Sequence, residues 1–400
     1  MCREIAFSPP DIHNDEIDAI IKVLKSGWIT TGPKTKEFER KIASYVGVKR
    51  AVCLNSATAA MEMSLRILGV GPGDEVITSA YTYTASASVI EHVGADIVLI
   101  DTSRDSFEMD YRKLEDSINE RTKVIIPVDI GGRICDYEKI HEIVEAKKNI
   151  YVPNNDIQKR FGKIVVMADA AHSFGAKRNG KNSGQLADIS CFSFHAVKNL
   201  TTAEGGAVVW NNDYGLGDDW IYQQFMLYSL HGQSKDALAK TTLGSWEYDI
   251  IYPAYKCNMT DVLAAIGLSQ LGRYEQMLAR RREIVERYDD GLRSFGVTSM
   301  QHFGDKLSSS CHLYLARIPD IEEKERNNLI VRMAELGIAT NVHYKPLPMF
   351  TAYKNLGFNI SDYPNAFGMY ENEISLPLHT RLTNDDIDYV IDSLKKSLSR

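Results

Sequence analysis

Short apolar runs recur between residues 50 and 210 and alternate with stretches of helical composition. Seven runs are rich in valine and isoleucine: AVCL (51–54), EVIT (75–78), DIVLI (96–100), VIIPV (124–128), KIVVMA (163–168), DISCFSF (188–194) and GAVVW (206–210). Their apolar residues are continuous rather than alternating, which indicates strands covered on both faces. The pattern therefore predicts an α/β fold, with a mostly parallel sheet of about seven strands between helices.

Helical periodicity appears near the start of the chain, where residues 14–26 place four apolar side chains on one helical face. Asn14 stands at the helix-entry position with acidic residues after it, and Gly27 marks the end. The apolar residues of that face are Ile17, Ile20, Ile21 and Leu24. We therefore predict a helix over 14–26.

The last third of the chain has a second, smaller set of elements. Residues 261–296 have the composition and periodicity of one long helix. The elements predicted beyond it are strands at 312–318, 337–344 and 373–378 and helices at 322–336 and 383–398. We expect a large domain over 1–275 and a smaller C-terminal α/β domain over 276–400.

Residues 147–163, KKNIYVPNNDIQKRFGK, look inserted between a helix and a strand. Such connections usually have about 2 to 6 residues, and this one is longer and strongly polar. We predict a surface loop here.

The composition is that of an ordinary globular protein: 400 residues, 44% hydrophobic and 25% charged. Its 46 basic and 53 acidic residues give a net charge of -7, which disfavours non-specific binding to nucleic acid or anionic lipid. No apolar run approaches the roughly 20 residues that span a bilayer, and the start MCREIAFSPPD lacks the apolar core of a signal peptide. We expect a cytoplasmic protein that binds neither nucleic acid nor membrane.

The six cysteines lie far apart, without a CxxC pair and without a histidine at metal-ligand spacing. This spacing indicates neither a zinc site nor a disulfide framework, and we interpret the cysteines as small buried residues. They are Cys2, Cys53, Cys135, Cys191, Cys257 and Cys311. We expect no metal.

Small residues follow the first predicted strand, at the edge of the sheet where open α/β folds bind ligands. Ser56 to Ala60, within NSATAAM (55–61), open a helix directly after that strand. The free N–H groups and the positive dipole end of such a helix suit a phosphate. A serine-capped helix without a ligand has the same sequence pattern.

Two further strands end in ionisable residues. Asp169 follows KIVVMA, with His172 three residues later. A carboxylate at a buried strand end needs a cationic partner, unless it caps the next helix. Ser193 lies near the end of DISCFSF, and Lys198 follows it by five residues, before a glycine pair. A single lysine carries no information alone.

Together these residues meet the requirements of pyridoxal 5′-phosphate (PLP). That cofactor needs a lysine for its Schiff base, a carboxylate for its ring nitrogen, a phosphate cup and a flat group against the ring. Lys198, Asp169, the 56–60 turn with Ser193, and an aromatic residue of SAYTYTAS (79–86) supply all four.

Five motifs carry a resemblance to a known family. They are SGWITTGP (26–33), NSATAAM (55–61), DAAHSFGA (169–176), FSFHAVKNLTTAEGG (192–206) and YKCNMTD (255–261). Together they resemble the DegT/StrS family of nucleotide-sugar aminotransferases, from about residue 5 to the C-terminus. The resemblance implies the fold type I aminotransferase fold, PLP as cofactor, and a homodimer with shared active sites. It is greatest to enzymes that aminate C4 of UDP-4-keto sugars, such as UDP-4-amino-4-deoxy-L-arabinose synthase.

The resemblance also implies roles for residues that match the family's motifs. Lys198 matches the Schiff-base lysine, Asp169 the partner of the pyridine nitrogen, and His172 the position beside the ring. Tyr83 matches the aromatic residue on the other face; Tyr81 is the second choice and is more typical of a core position. The phosphate-cup positions are matched by Ala57, Thr58 and Ser193.

Three residues match segments that line the sugar side of the cleft in relatives: Thr31, His231 and His343. Each could equally be a structural loop residue. Two positions depart from the family pattern. Relatives often have asparagine at Lys256 and arginine at Asn258, where a neighbouring subunit reaches the cofactor phosphate, so either residue could make that contact. Many relatives carry histidine in place of Asp129.

The resemblance implies that Lys198 holds the cofactor, that an amino acid such as L-glutamate donates the amine, and that a nucleotide-linked keto sugar accepts it. Three alternatives remain. A sugar dehydratase of the same scaffold would have histidine at the lysine position. A non-catalytic PLP-binding sensor would keep the site without turnover. A Rossmann oxidoreductase would need a GxGxxG motif, which does not follow the first strand.

Overall fold

A computed structural model describes residues 3–235 and 247–399 of the chain. Cys2 lies outside these residues, and the five other cysteines are buried and free. The strands are β1 (Ala51–Leu54), β2 (Glu75–Ser79), β3 (Asp96–Ile100), β4 (Thr122–Ile126), β5 (Val165–Asp169), β6 (Lys177–Arg178), β7 (Lys181–Asn182), β8 (Ile189–Ser193), β9 (Gly206–Trp210), β10 (Phe303–Gly304), β11 (Leu307–Ser308), β12 (Tyr314–Arg317) and β13 (Glu373–Leu376).

Fourteen α-helices lie in the described residues, and the two shortest have five and six residues. They are α1 (Asn14–Ser26), α2 (Pro33–Val46), α3 (Ala57–Ile67), α4 (Ala85–His92), α5 (Tyr111–Ser117), α6 (Tyr137–Ala146), α7 (Asp156–Phe161), α8 (Asp218–Ser229), α9 (Asp261–Gly272), α10 (Tyr274–Leu292), α11 (Glu323–Glu335), α12 (Thr351–Asn355), α13 (Pro364–Glu371) and α14 (Asn384–Leu398). In the described ranges, none is both long and apolar enough to cross a bilayer.

The main sheet has seven strands in the order β1-β9-β8-β5-β4-β2-β3. Strand β9 runs antiparallel to both of its neighbours, and the pairings from β8 to β3 are all parallel. This confirms the predicted α/β fold with a mostly parallel sheet of about seven strands. The two remaining sheets are β10-β11-β6-β7 and β12-β13.

Both faces of the main sheet are covered, as its continuous apolar strands predicted. Along β5, Val165 and Met167 belong to one apolar core, whereas Val166 and Ala168 belong to another. Successive side chains of a strand point to opposite faces, so each strand contributes to two cores. The strands therefore run through the buried centre, and their carboxyl ends form the edge where polar residues meet.

The C-terminal elements share a further core. Ile284 of α10, Leu329 of α11, Leu376 of β13 and Leu394 of α14 pack together there. Ile5 joins them, and it forms a parallel bridge with Ile338. The N-terminal segment therefore packs against C-terminal elements.

Helix α1 confirms the predicted helix over 14–26, but Asn14 is its first residue and His13 is the N-cap. Gly27 ends it in the left-handed conformation, with φ at 77°. Of its predicted apolar face, Ile17, Ile21 and Leu24 are between 40% and 55% exposed in the single chain. The helix instead packs against α9. An apolar strip of α1 is thus left without cover.

The predicted single helix over 261–296 was wrong. Helices α9 and α10 are separated by Arg273, whose backbone (φ -117°, ψ 10°) leaves the helical region. The side chain of Arg273 pairs with Glu16 at 3.2 Å and with Asp11 at 3.3 Å. These ion pairs to the N-terminal segment accompany the change of direction.

The predicted strand over 337–344 was also wrong as a regular element. It contributes only isolated bridges, from Ile338 to Ile5 and from Asn341 to Ser375. The other C-terminal predictions are confirmed within a few residues: β12, β13, α11 and α14.

Residues 147–163 do not form the predicted surface loop. They contain α7, and Gln158 in that helix is only 1% exposed. Its Nε2 donates to Asp74 Oδ2 at 2.8 Å and to the Gly69 carbonyl at 3.1 Å. A polar residue is buried in this segment because it binds buried polar groups of the turn that contains Gly69 and Asp74.

Candidate active site

A cavity of about 390 Å³ opens where strands of the main sheet end and β9 begins. Its walls come from residues that follow β1, β2, β4, β5 and β8, so the strand ends define it. The sequence-predicted residues that line it are Ala57, Thr58, Tyr83, Asp169, His172, Ser193, Lys198 and His343. The fold therefore brings eight separately identified residues into one site.

One end of the cavity is formed by the first turn of α3. Ser56 is the N-cap, and its Oγ accepts a hydrogen bond of 3.0 Å from the N–H of Ala59. The N–H groups of Ala57 and Thr58 belong to the first turn, where no helix carbonyl is available to them. These donors and the helix dipole suit a phosphate.

Gly206 allows the start of β9 to pack directly against the first turn of α3. A Cβ at this position would lie 2.4 Å from the backbone nitrogen of Ala57, so a larger residue would collide with the turn. Ser193, paired with Gly206 across the strands, lines the same cavity, and its hydroxyl accepts a 3.4 Å hydrogen bond from His195 N–H. The small residues predicted as a phosphate cup thus lie together.

Asp169 ends β5 and is buried at the centre of the cavity. Its Oδ2 accepts a hydrogen bond of 2.6 Å from Ser86 Oγ, and its Oδ1 accepts one of 3.2 Å from Ala171 N–H. Burial raises the pKa of Asp169, and these hydrogen bonds and Lys198 oppose that rise. No helix begins after β5 before β6, so Asp169 is not a helix cap.

Lys198 lies on the turn after β8 and lines the same cavity as Asp169. Its positive charge lowers the pKa of the Asp169 carboxyl. Burial lowers the pKa of its amine to about 8, and the Asp169 carboxylate opposes this fall. An amine with that pKa exists in both protonation states near neutral pH. Such an amine can act as nucleophile, base and acid in turn.

His172 has a defined hydrogen-bonding pattern. Its Nδ1 accepts the backbone N–H of Gly131 at 3.2 Å, so in the neutral ring the proton is on Nε2. That Nε2 lies 3.1 Å from the Tyr344 hydroxyl oxygen, which accepts the hydrogen bond from Nε2–H. Burial holds the pKa of His172 well below its usual range. His312 packs against the ring, with centroids 4.3 Å apart.

The aromatic residue of the 79–86 segment can be assigned. Tyr83 lines the cavity and is 60% exposed, with its ring centroid 6.0 Å from that of Tyr344. Tyr81 is buried in an apolar core and donates its hydroxyl to the His343 carbonyl at 2.8 Å. Of the two, Tyr83 faces the cavity.

His343 lines the cavity from the C-terminal part of the chain. Its Nδ1 lies 2.8 Å from Ser375 Oγ, and its ring stacks on Phe7 with centroids 5.5 Å apart. Burial, together with Lys198, lowers the pKa of His343 to about 3. The ring is therefore neutral at physiological pH.

The other sequence-predicted residues form a second cluster beside β1. Thr31 is buried, donates its hydroxyl to the Met259 carbonyl at 2.6 Å and accepts from Asn258. Lys256 donates to the Asn258 side-chain oxygen. His231 is exposed, and its N–H donates to the Tyr255 carbonyl at 2.7 Å. Among the described residues, this second cluster does not line the cavity of its own chain. Its predicted site residues are Thr31, His231, Lys256 and Asn258.

Asp129, the position where many relatives differ, lies behind His172. It is buried and accepts hydrogen bonds from Cys135 N–H, Tyr137 and Ser173. Burial raises its pKa to about 6. Asp129 anchors the turn from which Gly131 donates to His172. It is not among the residues that line the cavity.

Sequence reasoning missed Ser86 and Tyr344. Ser86 lies within the 79–86 segment that was searched for an aromatic residue, and Tyr344 is adjacent to His343. The sequence therefore pointed to their neighbourhood, but it did not show that Ser86 contacts Asp169 or that Tyr344 contacts His172.

The residues present fit PLP. Ala57 and Thr58, whose N–H groups lie in the first turn of α3, line the cavity and suit an anion. Asp169 is buried, and Lys198 is its only charged neighbour of note among the described residues. A buried acid and a reactive amine in one cavity are the two groups that this cofactor requires. No described group of three His, Cys, Asp or Glu side chains could hold a metal ion.

Comparisons with known proteins agree with this geometry. Residues 10–395 match the DegT/DnrJ/EryC1/StrS aminotransferase family. The sugar aminotransferase Spr1654 of Streptococcus pneumoniae, described as putative and solved in PMP, PLP and apo forms, superposes with a TM-score of 0.96 in its PMP form at 53% identity, over 99% of both chains.

Two further relatives are more distant. The spore coat polysaccharide biosynthesis protein SpsC of Bacillus subtilis is 35% identical over 98% of this chain and 96% of its own length. PseC of Helicobacter pylori, an aminotransferase of pseudoaminic acid biosynthesis, is 28% identical with a TM-score of 0.86, over 99% of this chain and all of that chain. The chain therefore belongs to the DegT/DnrJ/EryC1/StrS aminotransferase family and is a PLP-dependent aminotransferase.

Proposed function

We propose that this enzyme transfers an amino group from L-glutamate to C4 of a UDP-linked 4-keto sugar, for surface polysaccharide or glycan biosynthesis. The observation that carries the proposal is that the half-buried Lys198 and the buried Asp169 line one cavity together with the first turn of α3 and its free N–H groups. The relatives named above act on sugars or in polysaccharide biosynthesis, which supports the acceptor class. The choice of UDP and of C4 rests on the sequence resemblance.

The cofactor would be held by residues at both ends of the cavity. The N–H groups of Ala57 and Thr58 and the hydroxyl of Ser193 would bind its phosphate, and the Lys198 amine its aldehyde carbon. Tyr83 and His172 would cover the two ring faces. When bound, PLP supplies an electron-withdrawing ring that stabilises negative charge on the amino acid carbon.

Lys198 is the proton carrier of the proposed reaction. Its amine takes the proton from Cα of the donor amino acid, and it later gives one to the sugar carbon that receives the amine. A general acid/base is most effective when its pKa lies near the working pH, and such groups contribute about 10²- to 10⁴-fold. The lowered pKa of Lys198, about 8, meets this condition.

Asp169 acts through its charge. A buried carboxylate is costly unless a cation meets it, and a protonated ring nitrogen would be that cation. Ser86 and Ala171 hold both carboxylate oxygens, so the acid keeps its orientation while the ligand changes. Its role is to keep the ring nitrogen protonated.

Our proposal includes a homodimer. The exposed apolar strip of α1 needs a cover, and a second copy of the chain would supply it. Lys256 or Asn258 would then reach the phosphate in the neighbouring subunit, and Thr31 and His231 would line its sugar side. We further propose a cytoplasmic enzyme with a large domain over 1–275 and a small domain over 276–400.

The experiment that tests the function is an assay of the purified enzyme with glutamate and a panel of UDP-, dTDP- and GDP-linked 4-keto and 3-keto sugars. Mass spectrometry and NMR of the products would show the nucleotide and the aminated carbon. We expect a UDP-4-amino sugar and 2-oxoglutarate. Amination of C3, or of another nucleotide's sugar only, would contradict the specificity that we propose.

The same preparation separates the alternative classes. A transaminase loses its yellow colour when glutamate is added, whereas a PLP-binding sensor stays yellow. A dehydratase would release a deoxygenated sugar without 2-oxoglutarate, and Lys198 already argues against it. The Lys198→Ala variant is the control without turnover, and Lys148→Ala, at an exposed lysine, is its matched surface variant.

A further inference from the structure

A chain of hydrogen bonds leads from a buried acid to the cavity. Glu373 and Ser375 occupy alternate positions of β13, so both side chains lie on the same face of the strand. Both residues are fully buried. Ser375 Oγ lies within hydrogen-bond distance of both Glu373 Oε1, at 2.5 Å, and Nδ1 of His343, at 2.8 Å. The other carboxyl oxygen, Oε2, accepts the backbone N–H of His343 at 2.9 Å.

The surroundings fix this geometry. Asn341 and Ser375 exchange two backbone hydrogen bonds of 2.7 and 3.1 Å, which align the segment before His343 with β13. Phe7 stacks on the imidazole at an interplanar angle of 18°. His343 therefore has its backbone N–H and Nδ1 engaged, and Nε2 is the ring nitrogen left for a ligand in the cavity.

The Ser375 hydroxyl has one hydrogen, and this makes the chain directional. When Glu373 is ionised, Ser375 donates to it and must accept from Nδ1–H, so Nε2 has a free lone pair. When Glu373 is protonated at Oε1, it donates to Ser375, which then donates to Nδ1. In that state Nε2 carries the ring proton.

We propose that Glu373 and Ser375 are positioning residues for His343, and that the proton on Glu373 decides whether Nε2 of His343 donates a hydrogen bond to the substrate or accepts one. The ring stays neutral in both states. Only the place of its single proton changes. The consequence for the substrate rests on the function proposed above and on a place for His343 at the sugar side of the cavity, which the family resemblance implies.

The charged and titratable groups around this chain come from several elements. Arg326 of α11 donates to the backbone carbonyl of Glu373 at 2.7 Å, and Tyr81 donates to the backbone carbonyl of His343 at 2.8 Å. The groups that face Glu373 or His343 electrostatically are Arg326, Tyr81, Tyr344, Lys198, His172 and His312. Burial raises the pKa of Glu373 to about 8, so its acid form predominates at neutral pH.

The direction of the effect follows. Near neutral pH, Nε2–H donates, and the natural partner is an oxygen that only accepts, such as the keto oxygen of the sugar. Above the pKa of Glu373, Nε2 becomes an acceptor and suits only a hydroxyl. We therefore expect the KM of the keto sugar to rise as pH increases through about 8.

The test reads the tautomer of His343 directly, without substrate. The PLP-loaded enzyme is labelled with ¹⁵N-histidine, His343 is assigned with a His343→Asn variant, and both ring nitrogens are followed between about pH 6 and about pH 10. We expect the proton on Nε2 at low pH and on Nδ1 at high pH. In Ser375→Ala and Glu373→Gln this exchange should disappear, whereas Ser375→Thr, which keeps the hydroxyl, should retain it.

A single tautomer across this range in the wild type would overturn the proposal, and so would an exchange that persists in Ser375→Ala. Ser361→Ala, at an exposed serine, is the matched control. The kinetic readout is the KM of the UDP-4-keto sugar at neutral pH, which should rise about three- to tenfold in Ser375→Ala. The rate of the glutamate half-reaction should change less than about twofold. If no keto sugar of the panel reacts, the proposed function fails while the tautomer measurement still decides this inference.

Discussion

Ser86 donates a hydrogen bond of 2.6 Å from its hydroxyl to Oδ2 of Asp169, and both side chains are buried. The two residues are 83 positions apart in the sequence. Ser86 lies in the first turn of α4 and Asp169 at the end of β5, so the bond links a helix to the edge of the sheet. It stabilises the carboxylate form against the desolvation that raises the pKa of Asp169.

We predict that Ser86→Ala raises the pKa of Asp169 further and lowers kcat about three- to tenfold, the equivalent of one lost hydrogen bond. Asp169→Asn should lower kcat by about 10²-fold or more, since it removes the charge itself. The KM of glutamate should change much less. Ser88→Ala, on the same helix and outside the cavity lining, is the control for Ser86→Ala. Equal kcat values for these two serine variants would refute the role of Ser86.

The pH dependence of cofactor capture tests the state of Lys198. Only a neutral amine attacks an aldehyde, and burial lowers the pKa of Lys198 to about 8. The rate of covalent PLP binding by the apoenzyme should therefore rise about tenfold per pH unit at low pH and level off above about pH 8. An ordinary lysine would keep gaining rate up to about pH 10. Stopped-flow absorbance measures this rate, and borohydride reduction with peptide mapping should place the cofactor on Lys198.

Asp169→Asn gives a second outcome for the same measurement. In the wild type, the Asp169 carboxylate raises the pKa of Lys198 against the effect of burial. Removing that charge should lower the pKa, so the plateau should begin at a lower pH than in the wild type. A plateau that moves to higher pH would show that the carboxylate does not act on this amine.

Glycine at position 206 is required by the closeness of β9 to the α3 turn. In Gly206→Ala, the Cβ would lie 2.4 Å from the Ala57 nitrogen, and backbone atoms must move. We expect a loss of about 1 to 3 kcal/mol in the free energy of unfolding, together with weaker PLP retention. Urea unfolding of the apoenzyme and dialysis of the holoenzyme measure the two effects.

Gly272→Ala is the matched substitution. A Cβ there meets nothing within 4 Å, and the residue lies in the last turn of α9. We expect stability to be unchanged or to increase by up to about 1 kcal/mol, because alanine favours a helix. If both variants lost the same stability, closeness to the turn would not be the cause.

The proposed dimer can be tested on α1. Ile21 is 40% and Leu24 is 55% exposed in the single chain. The double variant Ile21→Asp/Leu24→Asp should sediment as a monomer and lose PLP more readily, because the neighbouring subunit would no longer reach the phosphate. Val331→Asp changes an equally exposed apolar residue of α11 and should leave the assembly intact. A wild type that is monomeric in analytical ultracentrifugation would exclude the dimer.

Much of the fold was accessible from the sequence. The seven strands of the main sheet were identified within two or three residues, because each is a short apolar run bounded by polar residues. The break at Arg273 was not, since periodicity continues through it and the ion pair that accompanies it is with the distant Glu16. Helix α7 in 147–163 was missed because its buried residue Gln158 binds Asp74 and Gly69, and no local sequence pattern shows these contacts.

The site shows the same division. Lys198, Asp169 and the turn at Ala57 could be found because a cofactor requires specific residue types at strand ends, and those ends lie on one edge of a parallel sheet. Ser86 and Tyr344 could not, since a serine or tyrosine acquires a role only through its partner. The partner of Ser86 is Asp169, and that of Tyr344 is His172.

The sequence by itself determined the class of fold and the family, and it predicted the central lysine and acid, because these depend on residue type and order along the chain. Only the tertiary structure decided which nitrogen of His172 carries the proton, which tyrosine faces the cavity, and that Glu373 reaches His343 through Ser375. Protonation and orientation depend on burial and on neighbours hundreds of residues away or across a sheet, and those distances exist only once the chain has folded.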